Sequence, residues 1–209
     1  MFFTTIHDPM HNELGIAIYS IQIGVVIIIL SIVIMFAYKQ IQKLDIVHRE
    51  HLDNSSTAMD DLLVLVPIPF YLLHYILSIA AVAEKPSINN YFLIVIYLLN
   101  IFQVVIQSPF IVDGIRRCSN SKQLRFKKPG RELVTFALIL NVTLWILNTF
   151  ELKSVDKYQN MASLYGKMTW MVISHTTVPV MLFYRYHSSV CLSDIWKYAY
   201  EKDHSIGHM

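Results

Sequence analysis

The apolar residues of this chain run together instead of spreading out. Five blocks stand clear, at 15–38, 62–83, 91–112, 133–150 and 165–184. The first four contain no Asp, Glu, Lys or Arg, and the fifth has only Lys167 near its start. A helix rises about 1.5 Å per residue and the hydrocarbon core of a bilayer is about 30 Å thick, so each block is long enough to cross it. A soluble bundle would show polar faces at helical spacing, and 21–36 (IQIGVVIIILSIVIMF) offers almost none. The pattern predicts an all-α polytopic membrane helix bundle of five transmembrane helices. It divides the chain into an external segment at 1–14, a transmembrane domain at 15–187 and a cytoplasmic tail at 188–209. Within the tail, Leu192, Ile195, Trp196 and Ala199 recur at helical spacing. They predict a short amphipathic helix lying at the inner interface, with Trp196 as its anchor.

Composition narrows the picture further. Charged residues make up 15% of the chain, against roughly 25% in soluble domains, too few to cover a soluble globule. The net charge of +2 argues against nucleic acid as a partner, leaving the lipid bilayer as the chain's surroundings. Two cysteines, Cys118 and Cys191, make no disulfide framework. The basic residues are unevenly placed. The predicted loops at 39–61 and 113–132, with the tail, hold 13 of them, including Arg185; the opposite side holds three, or four with Lys167. The positive-inside rule puts the basic side in the cytoplasm, so the C-terminus is expected inside and the N-terminus outside. An external start without a cleavable signal predicts that a preceding helix is missing, as in a truncated chain. The sequon Asn54-Ser55-Ser56 then lies on the cytoplasmic side and is expected to carry no glycan.

Polar groups are costly inside hydrocarbon, so each one in a span needs a partner or water. The third span carries Asn100, Gln103 and Gln107 on one helical face. The fourth carries Asn141 and Asn148 on one face, then Glu151 at its end. The fifth carries His175, Thr176 and Thr177, then Pro179, then Tyr184, Arg185 and Tyr186; Thr177 and Tyr184 share a face and His175 faces elsewhere, nearer Tyr186. The second adds His74 beside Tyr75. Taken singly, such residues tie helices together for about 0.6 to 2 kcal/mol each. Taken as a set, three consecutive spans with neutral hydrogen-bonding stripes suit a thread of water that carries protons. His175 adds a group titrating near neutral pH, and Glu151 an acid at the mouth. His7 and His11, and His48 and His51, have helical spacing for zinc but lack a third ligand, so no metal is expected. No serine-protease, HExxH or P-loop motif is present, and no cofactor or enzymatic activity is expected.

The segments GRELVTFALILNVTLWILNTFE (130–151) and WMVISHTTVPVMLFYRYHSSVCLSDIWKYAY (170–200), with VVIQSPFIVDGIRR (104–117), resemble the C-terminal end of otopetrin proton channels. The resemblance implies the last five helices of a twelve-helix, two-half plasma-membrane protein that dimerises and passes protons in response to external acid. It also implies a polar constriction of Gln, Asn and Tyr, which here falls on Gln103 or Gln107, on Asn141 and on Tyr184, with His175 and Glu151 nearby. Two functions follow from it. One is a proton-selective channel or its C-terminal half, acting as a homodimer; the other is a truncated, non-conducting subunit that pairs with full-length otopetrins and modulates them.

Overall fold

The computed structural model describes residues 9–46, 54–84, 87–151 and 159–202, and they are almost entirely helical. The predicted external residues 1–8, the last residues 203–209, and His7, His48 and His51 lie outside the described residues. The first helix, α1, spans Pro9–Ile41 and so begins inside the predicted external segment. Its buried positions Ile23, Ile27, Leu30, Ile34, Ala37 and Ile41 alternate by four and three, which makes one packing seam. The opposite side, with Ile21, Val25, Ile28, Ile32, Met35 and Phe36, is equally apolar and exposed on the chain. A helix greasy on both sides fits lipid on its outer side.

The second apolar block lies within one apolar stretch, Ala58–Ala83, as expected, and is made of two successive helices, α2 (Asn54–Leu65) and α3 (Pro67–Ala83), with Val66 between them still in helical backbone conformation. Pro67 and Pro69 supply no N–H, so the carbonyls of Leu63 and Leu65 lose their normal partners and the helical bonding is interrupted next to Val66. Next comes α4 (Ile88–Gly114), whose amide at Asn90 donates 3.2 Å to the hydroxyl of the cap Ser87 and which runs on through Pro109. The short α5 (Lys122–Lys127) leads to α6 (Arg131–Glu151), and α7 (Gln159–Tyr165) leads to α8 (Lys167–Tyr198).

Among the described residues, four stretches are long and apolar enough to cross a membrane: Ser20–Ile41, Ala58–Ala83, Asn90–Gly114 and Arg131–Phe150. The fifth expected span falls short by this measure, although α8 is 32 residues long. Lys167, His175, three threonines and Arg185 lower its hydropathy. The separate amphipathic helix expected in the tail is not formed. Its residues continue α8 without a break, and Leu192, Ile195 and Ala199 are buried against the rest of the bundle. Trp196 stacks under the guanidinium of Arg131, 3.9 Å from its ring centre, at the start of α6.

The long helices close into a ring. Going round it, α1 packs on α4, α4 on α3, α3 on α8, α8 on α6, and α6 back on α1. One end of the ring is laced together by the basic loops. A two-stranded antiparallel pairing joins β1 (Asp45–Ile46) to β2 (Arg117–Cys118), with Asp45 opposite Cys118. Ser119 binds the tail through the carbonyls of Glu201 and Ala199, and the Tyr200 hydroxyl donates to Pro129. Arg117 forks onto Asp113 at 2.9 Å and reaches the Leu44 carbonyl at 3.0 Å, while Arg116 pairs with Asp61. Gly130 lets α6 start hard against α1: with φ at +81°, a Cβ there would sit 2.8 Å from the Cβ of Gln40.

Candidate functional site

The inside of the ring is polar where the helices face one another. From α4 come Gln103, Gln107 and Ser108; from α6, Asn141; from α8, Tyr184 and Arg185; from α3, Tyr71. All are buried to within 1% of full enclosure. Gln103 and Gln107 are four apart, one turn of α4, so their amides stack along its inner face. The Gln103 amide nitrogen donates to Gln107 Oε1 at 2.6 Å. Gln107 and Asn141 then exchange two bonds, each side chain donating to the other at 3.0 Å. The second Asn141 N–H goes to the Ala137 carbonyl at 2.9 Å, which holds the amide in place on its own helix.

Tyr184 closes the cluster from α8. Ser108 donates its hydroxyl to the Val104 carbonyl at 2.9 Å, so it accepts from the Tyr184 hydroxyl, 2.9 Å away. The Tyr184 ring meets Tyr71 edge-on, with ring centres 5.4 Å apart. Arg185, the next residue, turns inward and donates from Nη1 to the Gln103 side-chain oxygen. Its guanidinium carbon lies 5.5 Å from the centre of the Tyr71 ring and 5.8 Å from that of Tyr184. No carboxylate among the described residues pairs with it, and its Nε and Nη2 have no hydrogen-bond partner there.

A second polar contact lies two turns of α8 from this cluster, away from the laced end. The Thr177 hydroxyl donates to the Ile173 carbonyl at 2.9 Å, so it accepts from His74 Nδ1 at 2.8 Å. That assignment puts a hydrogen on Nδ1. Trp170 lies against the same imidazole, with ring centres 5.4 Å apart.

The expected site residues divide accordingly. Gln103, Gln107, Asn141 and Tyr184 come together, and both glutamines belong to the cluster. His175 does not join them: it is exposed on the outer side of α8, about 14 Å along the axis from Tyr184. Glu151 ends α6 ten residues beyond Asn141, about 15 Å away, and its side chain is outside the described residues. Asn100 is buried but donates to its own helix at Ile96. The sequence reading does not single out Tyr71 or Ser108, and it gives His74 and Arg185 as polar residues of the spans without a place in the site, Arg185 being counted among the basic charges of the cytoplasmic side. Spacing carries the signal for Arg185: it lies eight residues from Thr177 and four from Met181, on the buried face of α8.

The otopetrin family model matches residues 1–186, nearly the whole chain. The chain belongs to the otopetrin family. It is 34% identical over 146 residues to the proton channel OtopLc of Drosophila melanogaster. That match takes in 70% of this chain but only 9% of OtopLc, so the otopetrin chain described here spans a small part of its relative's length. Membership fixes the coarse character of the protein as a multi-pass membrane protein of a channel family, and the amide–tyrosine cluster is its most enclosed polar feature.

At the laced end, outside the spans, Cys191 sits in a setting that suppresses reactivity. Burial, reinforced by Asp60 and Asp194, pushes its thiol up to about 12. Its Sγ is 3.5 Å from His187 Nε2 on the same helix.

Proposed function

We propose that this otopetrin chain forms a proton-selective pathway, on its own as a homodimer or as the C-terminal half of a longer channel, and conducts protons across the plasma membrane when the outside is acidified. The observation that carries this reading is the mutual amide pairing of Gln107 and Asn141, flanked by Gln103 and Tyr184, at the centre of a closed ring of helices. These groups donate and accept hydrogen bonds but hold no charge of their own at neutral pH. A proton moves along hydrogen bonds, so when the amides part, water between them completes a chain. A metal ion instead demands a cage of oxygens, and this cluster supplies few that are not already engaged. The laced, basic end faces the cytoplasm in this reading, with the C-terminus inside.

The test is proton uptake by liposomes holding the purified chain, followed with an internal pH dye after the outside is acidified. Uptake in the wild type and its loss in Asn141→Leu is the expected result. Absence of uptake by a folded, oriented chain would remove conduction. The direct bonding of the amides to one another, with no gap between them, favours a second reading: a non-conducting subunit that modulates full-length otopetrins. Co-expression separates the two, because a modulator alters its partner's current while carrying none.

A further inference from the structure

Arg185 is the one charged side chain that the ring encloses completely among the described residues, and the amide chemistry just proposed has no use for it. A guanidinium stays charged at any pH the protein meets. A charge at this depth is expensive and survives where it has a job. Its surroundings make the charge effective. Among the described residues the one hydrogen-bond partner of its guanidinium is a neutral amide, Gln103, and the guanidinium carbon lies over two neutral rings, Tyr71 and Tyr184. No acid among the described residues stands within ion-pairing distance of it. The ion pairs among the described residues, Arg116 with Asp61 and Arg117 with Asp113, lie at the laced end and do not include Arg185.

We propose that Arg185 sets the barrier to positive charge in the amide cluster. The fixed guanidinium repels any cation that enters between Gln103 and Tyr184, an excess proton included. It also holds the Gln103 oxygen and so fixes the direction in which that amide points toward Gln107. Conduction then requires the guanidinium to leave Gln103 and slide along the Tyr71 and Tyr184 faces, away from the path. The inference rests on the proton-pathway reading above, but it is tested by comparing variants and not by the presence of flux alone.

The size of the effect follows from the geometry. A cation level with the Tyr184 ring stands about 6 Å from the guanidinium, and at an effective dielectric of about 20 the repulsion slows its passage by about 100-fold. Three variants of the full 209-residue chain separate charge from shape. Arg185→Gln and Arg185→Met remove the charge; Arg185→Lys keeps it without the forked donors. The measurement is the rate of dye-reported proton uptake in liposomes, with folding checked by gel filtration and circular dichroism.

The expected result is uptake at least tenfold faster in Arg185→Gln or Arg185→Met, with Arg185→Lys within about threefold of wild type. The same result from a silent wild type, with flux uncovered only in the uncharged variants, supports the barrier equally. A folded uncharged variant that is not tenfold faster overturns the inference, and the pathway reading stands if the wild type still conducts. A rise in Arg185→Lys equal to that in Arg185→Gln overturns it too, since charge would then not be the agent. Flux in no variant and none in the wild type removes both ideas. Failure of both uncharged variants to fold, with Arg185→Lys intact, assigns the charge to holding the bundle and also overturns the barrier.

Discussion

The pairing between α4 and α6 has a measurable strength. Replacing Asn141 with Leu removes both bonds to Gln107, at 3.0 Å each, and the bond to the Ala137 carbonyl. The Gln107 amide nitrogen is then left buried without the acceptor it had. Interhelical hydrogen bonds within membranes average about 0.6 kcal/mol and reach about 1.7. Two shared bonds therefore predict a coupling of about 1–3 kcal/mol between positions 107 and 141. The assay is a double-mutant cycle with Gln107→Leu, Asn141→Leu and the double variant, each unfolded reversibly from mixed micelles. Each single change should destabilise, and the double variant should fall well short of their sum, because the second change removes a partner already stranded. Leu in an apolar ring recovers packing, so the double variant could approach wild-type stability. A coupling under about 0.5 kcal/mol would show that the two amides do not meet, and the enclosed cluster would lose its central bond.

Three further outcomes are expected. Gly130→Ala should destabilise by about 1–3 kcal/mol in the same unfolding assay, since the added carbon meets Gln40 on a left-handed backbone that alanine disfavours. The Cys191 thiol is raised from about 9 to about 12; the folded state therefore holds its proton longer than the unfolded one, and stability should fall as pH rises from about 9 toward 12. Stability measured from pH 8.5 to about 10.5 should fall less steeply in Cys191→Ala than in wild type; equal slopes would contradict the burial of the thiol. His175→Gln should leave proton uptake and stability within about twofold and about 0.5 kcal/mol of wild type, because the side chain is exposed, whereas His74→Leu should lower stability by about 1–3 kcal/mol, because it strands the Thr177 contact and reshapes the packing at Trp170; the two results reversed would refute the placement of both imidazoles.

Much of this arrangement could be read from the chain alone, for identifiable reasons. The apolar blocks announced the helices because hydrocarbon tolerates no other open backbone. The stripe of Gln103 and Gln107 was visible because helical spacing alone puts them on one side. The effect of Pro67 and Pro69 was harder, since a proline in a membrane helix is compatible with a bend as well as a stop, and the neighbours decide. The fate of the tail was not legible: Leu192, Ile195 and Ala199 make an apolar stripe whether it meets lipid headgroups or protein. Arg185 shows the limit most clearly. A solvated arginine at a helix end and a buried one look alike in sequence, and what encloses this one is Gln103, 82 positions earlier. The two histidines failed in the same way, because the outward His175 and the inward His74 differ only in what neighbouring helices cover.

The lacing of the basic end has a mechanical consequence. With β1 joined to β2, Ser119 joined to the tail and Gly130 pressed on α1, the ends of α1, α4, α6 and α8 are held at a common anchorage. Helices fixed at one end can widen the space between them only by pivoting, so displacement grows with distance from the anchorage. Pro109 and Pro179 interrupt the backbone bonding of α4 and α8 part-way along, so each helix is weakest in bending at that point. The half of the ring carrying His74 and Thr177, farthest from the anchorage, is thus the half with most room to swing, while the Gln107–Asn141 bridge lies nearer the anchorage and is displaced less.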